Sequence, residues 1–232
     1  MTRETEQFIR QLAENVRPVR ALAQPYVRAT VWLGLSVCYL AVVLLLTPRH
    51  DLSPKLSEPL FIIEQLAALV TGVAAAVAAF ATVIPGHDRR WVMLPLLPLA
   101  AWWASLGPSC IQELNHFGLR ALPIKHDLRC FPFIVLLGAI PAVAMAVMLR
   151  RGAPLTPHLT AALGGLAAAG LGNVGVRLIH PEDVTVMLLV WHVAGVIALS
   201  ALAGRAGHYF FNWRSLQRWP GSISHASENS AR

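Results

Sequence analysis

Thiol and imidazole side chains are the groups in this sequence that could bind a metal or respond to an oxidant. The chain has 232 residues, among them three cysteines and nine histidines. Cys110 ends the segment SLGPSC and Cys130 lies in LRCFPF, at the two ends of one predicted loop. A disulfide between them would close a loop of about 20 residues and contribute about 3 kcal/mol in the chain-entropy model. Three interpretations stay open: a structural disulfide, a signal-responsive thiol pair, and two unpaired packed cysteines.

Histidines share the predicted face of the molecule that carries these two thiols, namely His116, His126 and His180. Thiolate and imidazole together suit a soft or borderline metal ion. Their spacing matches no compact ligand motif, and loop histidines are usually only solvated. Metal binding is therefore the weaker interpretation, with Cys130, His180 and His126 as its candidate ligands. The third cysteine, Cys38, lies inside an apolar segment, where we expect it to pack as a small hydrophobic side chain.

Long apolar segments surround these residues and must position them. The sequence is 56% hydrophobic and 13% charged, which is more apolar than a typical soluble domain. Each apolar block is long enough to cross a hydrocarbon core of about 30 Å as a helix. The blocks cover residues 29–46, 60–84, 91–107, 131–149, 158–178 and 184–204. We predict an all-α, polytopic membrane protein with six transmembrane helices, the first of which is retained rather than cleaved as a signal peptide.

The distribution of basic residues predicts the orientation of these helices, because Lys and Arg accumulate in short cytoplasmic segments. If the N-terminus lies inside, 13 of the 19 Lys and Arg residues lie inside and six lie outside. Both termini are therefore predicted to be cytoplasmic. The sequence pI of about 10.2 then reflects topology and attraction to anionic lipid, and it does not indicate nucleic-acid binding.

The first 28 residues form an amphipathic segment and a linker ahead of the first apolar block. Phe8, Ile9, Leu12, Ala13 and Val16 recur at helical spacing and form one apolar stripe. The helix is predicted to end near Arg17, because the following proline cannot continue its hydrogen bonds. Such a short helix must bury its stripe against something. The bilayer surface, the cytoplasmic ends of the bundle and another protein all remain possible partners.

Two further patterns concern the inside of the predicted bundle. Glu64 and Arg177 occupy corresponding depths in the second and fifth blocks, where they either pair across the bundle or extend separately to the interface; a structural pair is favoured. Gly164, Ala168 and Gly172 recur at four-residue spacing in the fifth block. Small residues at this spacing let helices approach closely in lipid, so we expect tight packing there.

No recognisable catalytic motif accompanies these patterns. The sequence has no phosphate-binding glycine loop, no nucleophile elbow and no CxxC pair. We therefore predict a protein that is not an enzyme and needs no cofactor. A membrane thiol oxidoreductase using outer-face cysteines and a small-solute permease are the rival interpretations. The predicted organisation is a cytoplasmic segment and linker (1–28), a transmembrane sensor domain (29–204) and a basic, aromatic tail with a disordered end (205–232).

The sequence resembles the NrsF family of six-span membrane anti-sigma factors, which hold extracytoplasmic-function sigma factors inactive at the bacterial inner membrane. The likeness covers most of positions 6 to 205. The order and spacing of the matching segments are more specific than any one of the segments. The likeness rests on the segments FIRQLAENVRPVRAL, LGPSC, RCFPFI, RRGAPLTP with LTAALGGLAAAGLG, and HPEDVTVMLLVWH.

The resemblance implies roles for particular residues. It implies that the cytoplasmic N-terminal segment binds the sigma factor, and the candidates there are Phe8, Ile9, Leu12, Val16, Arg10, Arg17 and Arg20. It also implies that outer-face cysteines respond to stress such as oxidants or heavy metals, with Cys130 as the matching position and Cys110 as a further candidate. The sequence departs from the family pattern at IHPED, where members often read HCPED. His180 thus replaces the second cysteine, which excludes a disulfide from Cys130 to that position. Three possibilities remain: Cys110 takes the place of the second cysteine, Cys130 and His180 bind a metal, or sensing is altered.

Overall fold

The computed structural model describes residues 3–14, 22–47, 52–86, 88–117, 130–152 and 156–179. Every regular element in these ranges is helical. The elements are α1 (Arg3–Glu14), α2 (Pro25–Leu46), α3 (Leu52–Lys55), α4 (Pro59–Ala81), a 3-10 helix (Arg89–Met93), α5 (Leu96–Phe117), α6 (Cys130–Arg150) and α7 (Pro157–Ile179). The prediction of an all-α fold is confirmed for this part of the chain.

Three helices are long and apolar enough to cross a membrane, and these are α2, α4 and α7. All three begin at a proline, namely Pro25, Pro59 and Pro157. Proline suits the first helical position because its missing N–H has no partner inside the helix there, and its fixed φ is already helical. The bounds of these helices and of α6 agree with the predicted blocks to within four residues at either end. The sixth block, 184–204, lies outside the described residues.

α5 differs from the third predicted block. The sequence predicts a span over 91–107, followed by an outer loop from 108 to 130. Instead, the 3-10 helix occupies the beginning of that block, and α5 continues to Phe117. The apolar run ends near Gly107, but the helix continues through the more polar residues that follow it as far as Phe117. The length of the apolar run therefore predicts where the apolar segment of the helix ends, but not where the helix itself ends.

α7 lies between α4 and α6 and packs closely against both through small residues. An added Cβ at Gly170 would lie 2.9 Å from the backbone oxygen of Ala68 and 3.1 Å from Gly72 of α4. An added Cβ at Gly172 would lie 3.4 Å from the backbone of Gly138 in α6. Glycine at these positions lets the helix backbones touch, which is how helices gain packing energy in lipid.

The predicted stripe of small residues in α7 is buried as expected. Gly164 faces Met145 and Leu149 of α6, and Ala168 is 3% exposed. Gly170 contacts α4, whereas Gly164 and Gly172 contact α6, so both of these faces of α7 carry small residues. The prediction of tight packing at this helix is confirmed.

Candidate functional site

α1 is an amphipathic helix whose described side chains are all exposed. Phe8 is 61% exposed and Ile9 is 50% exposed. Two large apolar side chains exposed next to each other on a short amphipathic helix are typical of a surface that binds a partner. Glu6 lies early in the helix, where the positive end of the macrodipole favours a carboxylate.

The predicted sigma-binding residues divide into three groups in the structure. Phe8, Ile9 and Arg10 lie exposed on α1. Leu12 lies within the same helix, but the structure does not describe its side chain. The other candidates, Val16, Arg17 and Arg20, lie outside the described residues, and so does the predicted end of the helix near Arg17.

The predicted sensing residues are placed only in part. Cys110 lies within α5, and Cys130 is the first residue of α6. The structure describes the backbone of both and the side chain of neither, while His180 and His126 lie outside the described residues. Among the residues that it does describe, no group of three potential ligands could hold a metal ion. The disulfide, thiol-pair and metal hypotheses thus stay predictions.

Cys38 does not lie where the sequence predicts it. The expectation is a thiol packed inside the bundle, but Cys38 is a free cysteine exposed on the surface of α2. The reason is the register of α2, which buries Trp32, Ser36 and Leu40 at helical spacing and turns the positions between them outward. The sequence of a helix that is apolar on every side does not tell which of its faces is buried.

Glu64 of α4 and Arg177 of α7 form a buried ion pair. Arg177 Nη2 donates to Glu64 Oε2 at 2.5 Å, and the Arg177 and Glu64 side chains are 9% and 3% exposed, respectively. The Arg177 guanidinium also lies 5.4 Å from the centre of the Phe61 ring, within the range of a cation–π contact. The predicted structural pair across the bundle is confirmed.

A second polar contact joins the same two helices at their opposite ends. The hydroxyls of Thr82 and Thr160 are 2.7 Å apart, with either oxygen as donor. Eighteen residues separate Glu64 from Thr82, or about 27 Å along a helix that rises 1.5 Å per residue. That length is close to the hydrocarbon thickness of a bilayer, about 30 Å. α4 and α7 are therefore tied together at two depths, with small residues packed between the ties.

Side chains of α2 donate hydrogen bonds to backbone oxygens of α6, an arrangement that sequence reasoning missed. Trp32 Nε1 donates to the Pro141 oxygen at 2.9 Å, and the Tyr39 hydroxyl donates to the Leu136 oxygen at 2.8 Å. Arg28 donates to the Met148 oxygen near the end of α6. The three contacts run antiparallel along the two helices. Pro141 inside the fourth block did not signal these contacts, because a proline frees the carbonyl four residues before it, that of Leu137, whereas the acceptors are Leu136, Pro141 and Met148.

These features define a class of protein before any comparison is made. Three helices are long and apolar enough to cross a membrane, and two of them, α4 and α7, are joined by small residues and two polar ties. A separate amphipathic helix, α1, exposes Phe8 and Ile9. This combination is typical of a helical membrane protein that also carries exposed apolar side chains on a short helix.

Comparison with known proteins identifies the family. Residues 12–213 match the NrsF family, described as negative regulator of sigma F. The chain is also similar to the anti-sigma-F factor NrsF of Caulobacter vibrioides (strain NA1000 / CB15N), with 27% identity over 184 residues that cover 78% of this chain and 86% of that relative. No solved structure matches it. The chain belongs to the NrsF family of anti-sigma factors, which implies a sigma factor as its partner.

Proposed function

We propose that this protein is a membrane-bound anti-sigma factor that sequesters an extracytoplasmic-function sigma factor through its N-terminal segment, residues 1–28. The observation that carries the proposal is the exposure of Phe8 and Ile9 on α1, in a chain of the NrsF family. An apolar pair on a helix fits a groove of a partner by burying both side chains together. Arg10, Arg17 and Arg20 add charge complementarity to an acidic partner surface.

The proposed topology has six spans in the bacterial inner membrane and both termini in the cytoplasm. The excess of Lys and Arg in the segments between spans that are assigned to the inside supports this orientation. The two ties between α4 and α7 support a membrane-spanning arrangement, because their separation along the helix matches the thickness of the hydrocarbon core. In this topology Cys110 and Cys130 lie on the outer side and α1 lies inside.

The proposed signal is a periplasmic stress, an oxidant or a heavy metal, received near Cys110, Cys130 and His180. α6 offers a direct connection between that side and the N-terminal segment. It begins at Cys130, and at its other end Met148 accepts a hydrogen bond from Arg28, the fourth residue of α2. A signal that repositions the outer end of α6 would thus act on the residues that follow the linker. Release requires that the signal favours the conformation that does not bind the sigma factor.

The test of this sensing step is induction of the sigma regulon in cells that carry Cys130→Ser or Cys110→Ser. We expect Cys130→Ser to reduce induction by oxidant or metal at least about tenfold, because serine forms neither a disulfide nor a soft-metal bond. Cys38→Ser is the matched control, since Cys38 lies exposed in the middle of α2, and it should leave induction unchanged. Normal induction in both outer-face variants would contradict the sensing step and leave sigma binding untouched.

A further inference from the structure

Arg28 is a buried cation whose hydrogen-bonding capacity is only partly used by the described part of the chain. It is 7% exposed, although it lies in the first turn of α2. Its guanidinium lies 4.5 Å from the centre of the Phe80 ring, and Nη2 donates to the Met148 oxygen. Nη1 is buried and has no hydrogen-bond partner among the residues that the structure describes. A buried, charged N–H without an acceptor is strongly unfavourable, so an anion is expected beside it.

No carboxylate in the described part of the chain pairs with Arg28. The ion pairs of α4 and of the segment before it, Glu64 with Arg177 and Lys55 with Glu58, are elsewhere. Arg151, another cation, lies close enough to Arg28 to repel it. Arg151 follows the acceptor residue Met148 by less than one helical turn and is exposed. Two guanidinium groups at one end of the bundle, one buried and one accessible, form a basic site for which the described residues supply no acid.

We propose that Arg28 and Arg151 bind the phosphate of an anionic phospholipid at this end of the bundle. The site lies at the boundary of the membrane, because Arg28 lies at the start of the span α2 and Arg151 follows the end of α6. Guanidinium groups recognise phosphate oxygens through paired, charge-assisted hydrogen bonds. Basic sites between helices at this depth are where lipid head groups bind.

The surrounding surface favours a lipid over a free phosphate ion or an acidic side chain of a protein. Exposed apolar residues follow Arg28 along α2, with Val31 52% and Leu35 57% exposed. Others precede Arg151 along α6, with Val143 59% and Val147 49% exposed. A phospholipid supplies both a phosphate for the guanidinium groups and acyl chains for these side chains. This lipid site rests on the part of the proposed function in which the helices span a membrane. It does not depend on binding of a sigma factor.

The test is binding of dioleoyl phosphatidylglycerol to the purified full chain in neutral detergent, measured by native mass spectrometry against dioleoyl phosphatidylcholine. We expect preferential retention of phosphatidylglycerol. Arg151→Gln should weaken that binding about tenfold, because it removes charge-assisted hydrogen bonds to the phosphate. Arg90→Gln is the matched control, because Arg90 is an exposed arginine that lies near Asp88 instead, and it should bind the lipid normally.

Further arms of the same experiment separate the alternatives. Arg28→Gln is expected to reduce lipid binding more strongly than Arg151→Gln, and the exposed Arg151 decides the matter if the Arg28 variant fails to fold. Protection against thermal unfolding by inorganic phosphate alone, equal to that by phosphatidylglycerol, would contradict a lipid site. So would equal retention of the two lipids, or unchanged lipid binding by Arg151→Gln. Loss of sigma-factor binding with intact lipid binding in Arg151→Gln would assign the site to an acidic partner instead, and would overturn the proposal.

Discussion

Replacing Phe8 with aspartate is expected to weaken sigma-factor binding about 30-fold, because a buried aromatic anchor contributes about 2 kcal/mol or more to an interface. Phe8 is 61% exposed on α1, so the free protein gains nothing from it that the substitution would remove. Ile9→Asp should act in the same direction. The measurement is co-purification in detergent with a co-expressed sigma factor from the same organism, quantified as the amount recovered per mole of membrane protein.

The control for this experiment is Gln7→Asp, which adds the same charge to α1 one residue away. Gln7 is exposed on the side of the helix that faces away from the apolar stripe, so that variant should bind the sigma factor normally. A chain lacking residues 1–22 should recover none. Equal recovery of the sigma factor by Phe8→Asp and Gln7→Asp would remove α1 from the binding surface, while leaving membership of the family unaffected.

Breaking the buried ion pair is expected to have the largest effect on stability. Glu64→Ala or Arg177→Ala should each lower the free energy of unfolding by about 3–5 kcal/mol, because each leaves an uncompensated charge between α4 and α7. This cost applies to buried salt bridges. The pair is one of them, because Glu64 Oε2 and Arg177 Nη2 are 2.5 Å apart and the two side chains are 3% and 9% exposed, respectively. Unfolding in mixed detergent micelles, followed by the loss of helical circular dichroism, measures it.

The double variant Glu64→Leu/Arg177→Met should recover most of that loss. Apolar side chains of similar volume replace a buried pair at little cost, because neither charge then has to be desolvated. Lys55→Gln is the control, since the Lys55–Glu58 pair at 3.2 Å is partly exposed and should contribute about 1 kcal/mol or less. If the single variants were as stable as Lys55→Gln, the ion pair would not hold α4 to α7.

Features that depend on composition and length could be predicted from the sequence. The bounds of α2, α4, α6 and α7 follow from apolar length, because a span needs a minimum number of apolar residues. The pairing of Glu64 with Arg177 is predictable because two opposite charges at equal depth in apolar blocks have few other partners. Close helix packing through small residues could be predicted from the sequence, but the particular contact of Gly170 with Gly72 could not.

Other features depend on contacts between distant segments and were not predictable. Trp32 and Tyr39 bond to backbone oxygens about 100 residues away, and nothing in a local pattern selects those acceptors. The exposure of Cys38 could not be predicted for a related reason, because a uniformly apolar sequence does not show which face of the helix is buried. For α1 the amphipathic pattern predicts Phe8 and Ile9 as part of a binding surface, and the structure adds that both side chains are exposed.

The proposed function requires that α1 lies in the cytoplasm and that the segment between α5 and α6 lies on the outer side of the membrane. In a variant whose three native cysteines are replaced with serine, single cysteines are introduced as Gln7→Cys or Arg120→Cys and labelled with a thiol reagent that cannot cross membranes. We expect the cysteine at position 120 to react in cells with a permeabilised outer membrane, and the one at position 7 to react only after the inner membrane is opened. Reaction of both in the same compartment would contradict it.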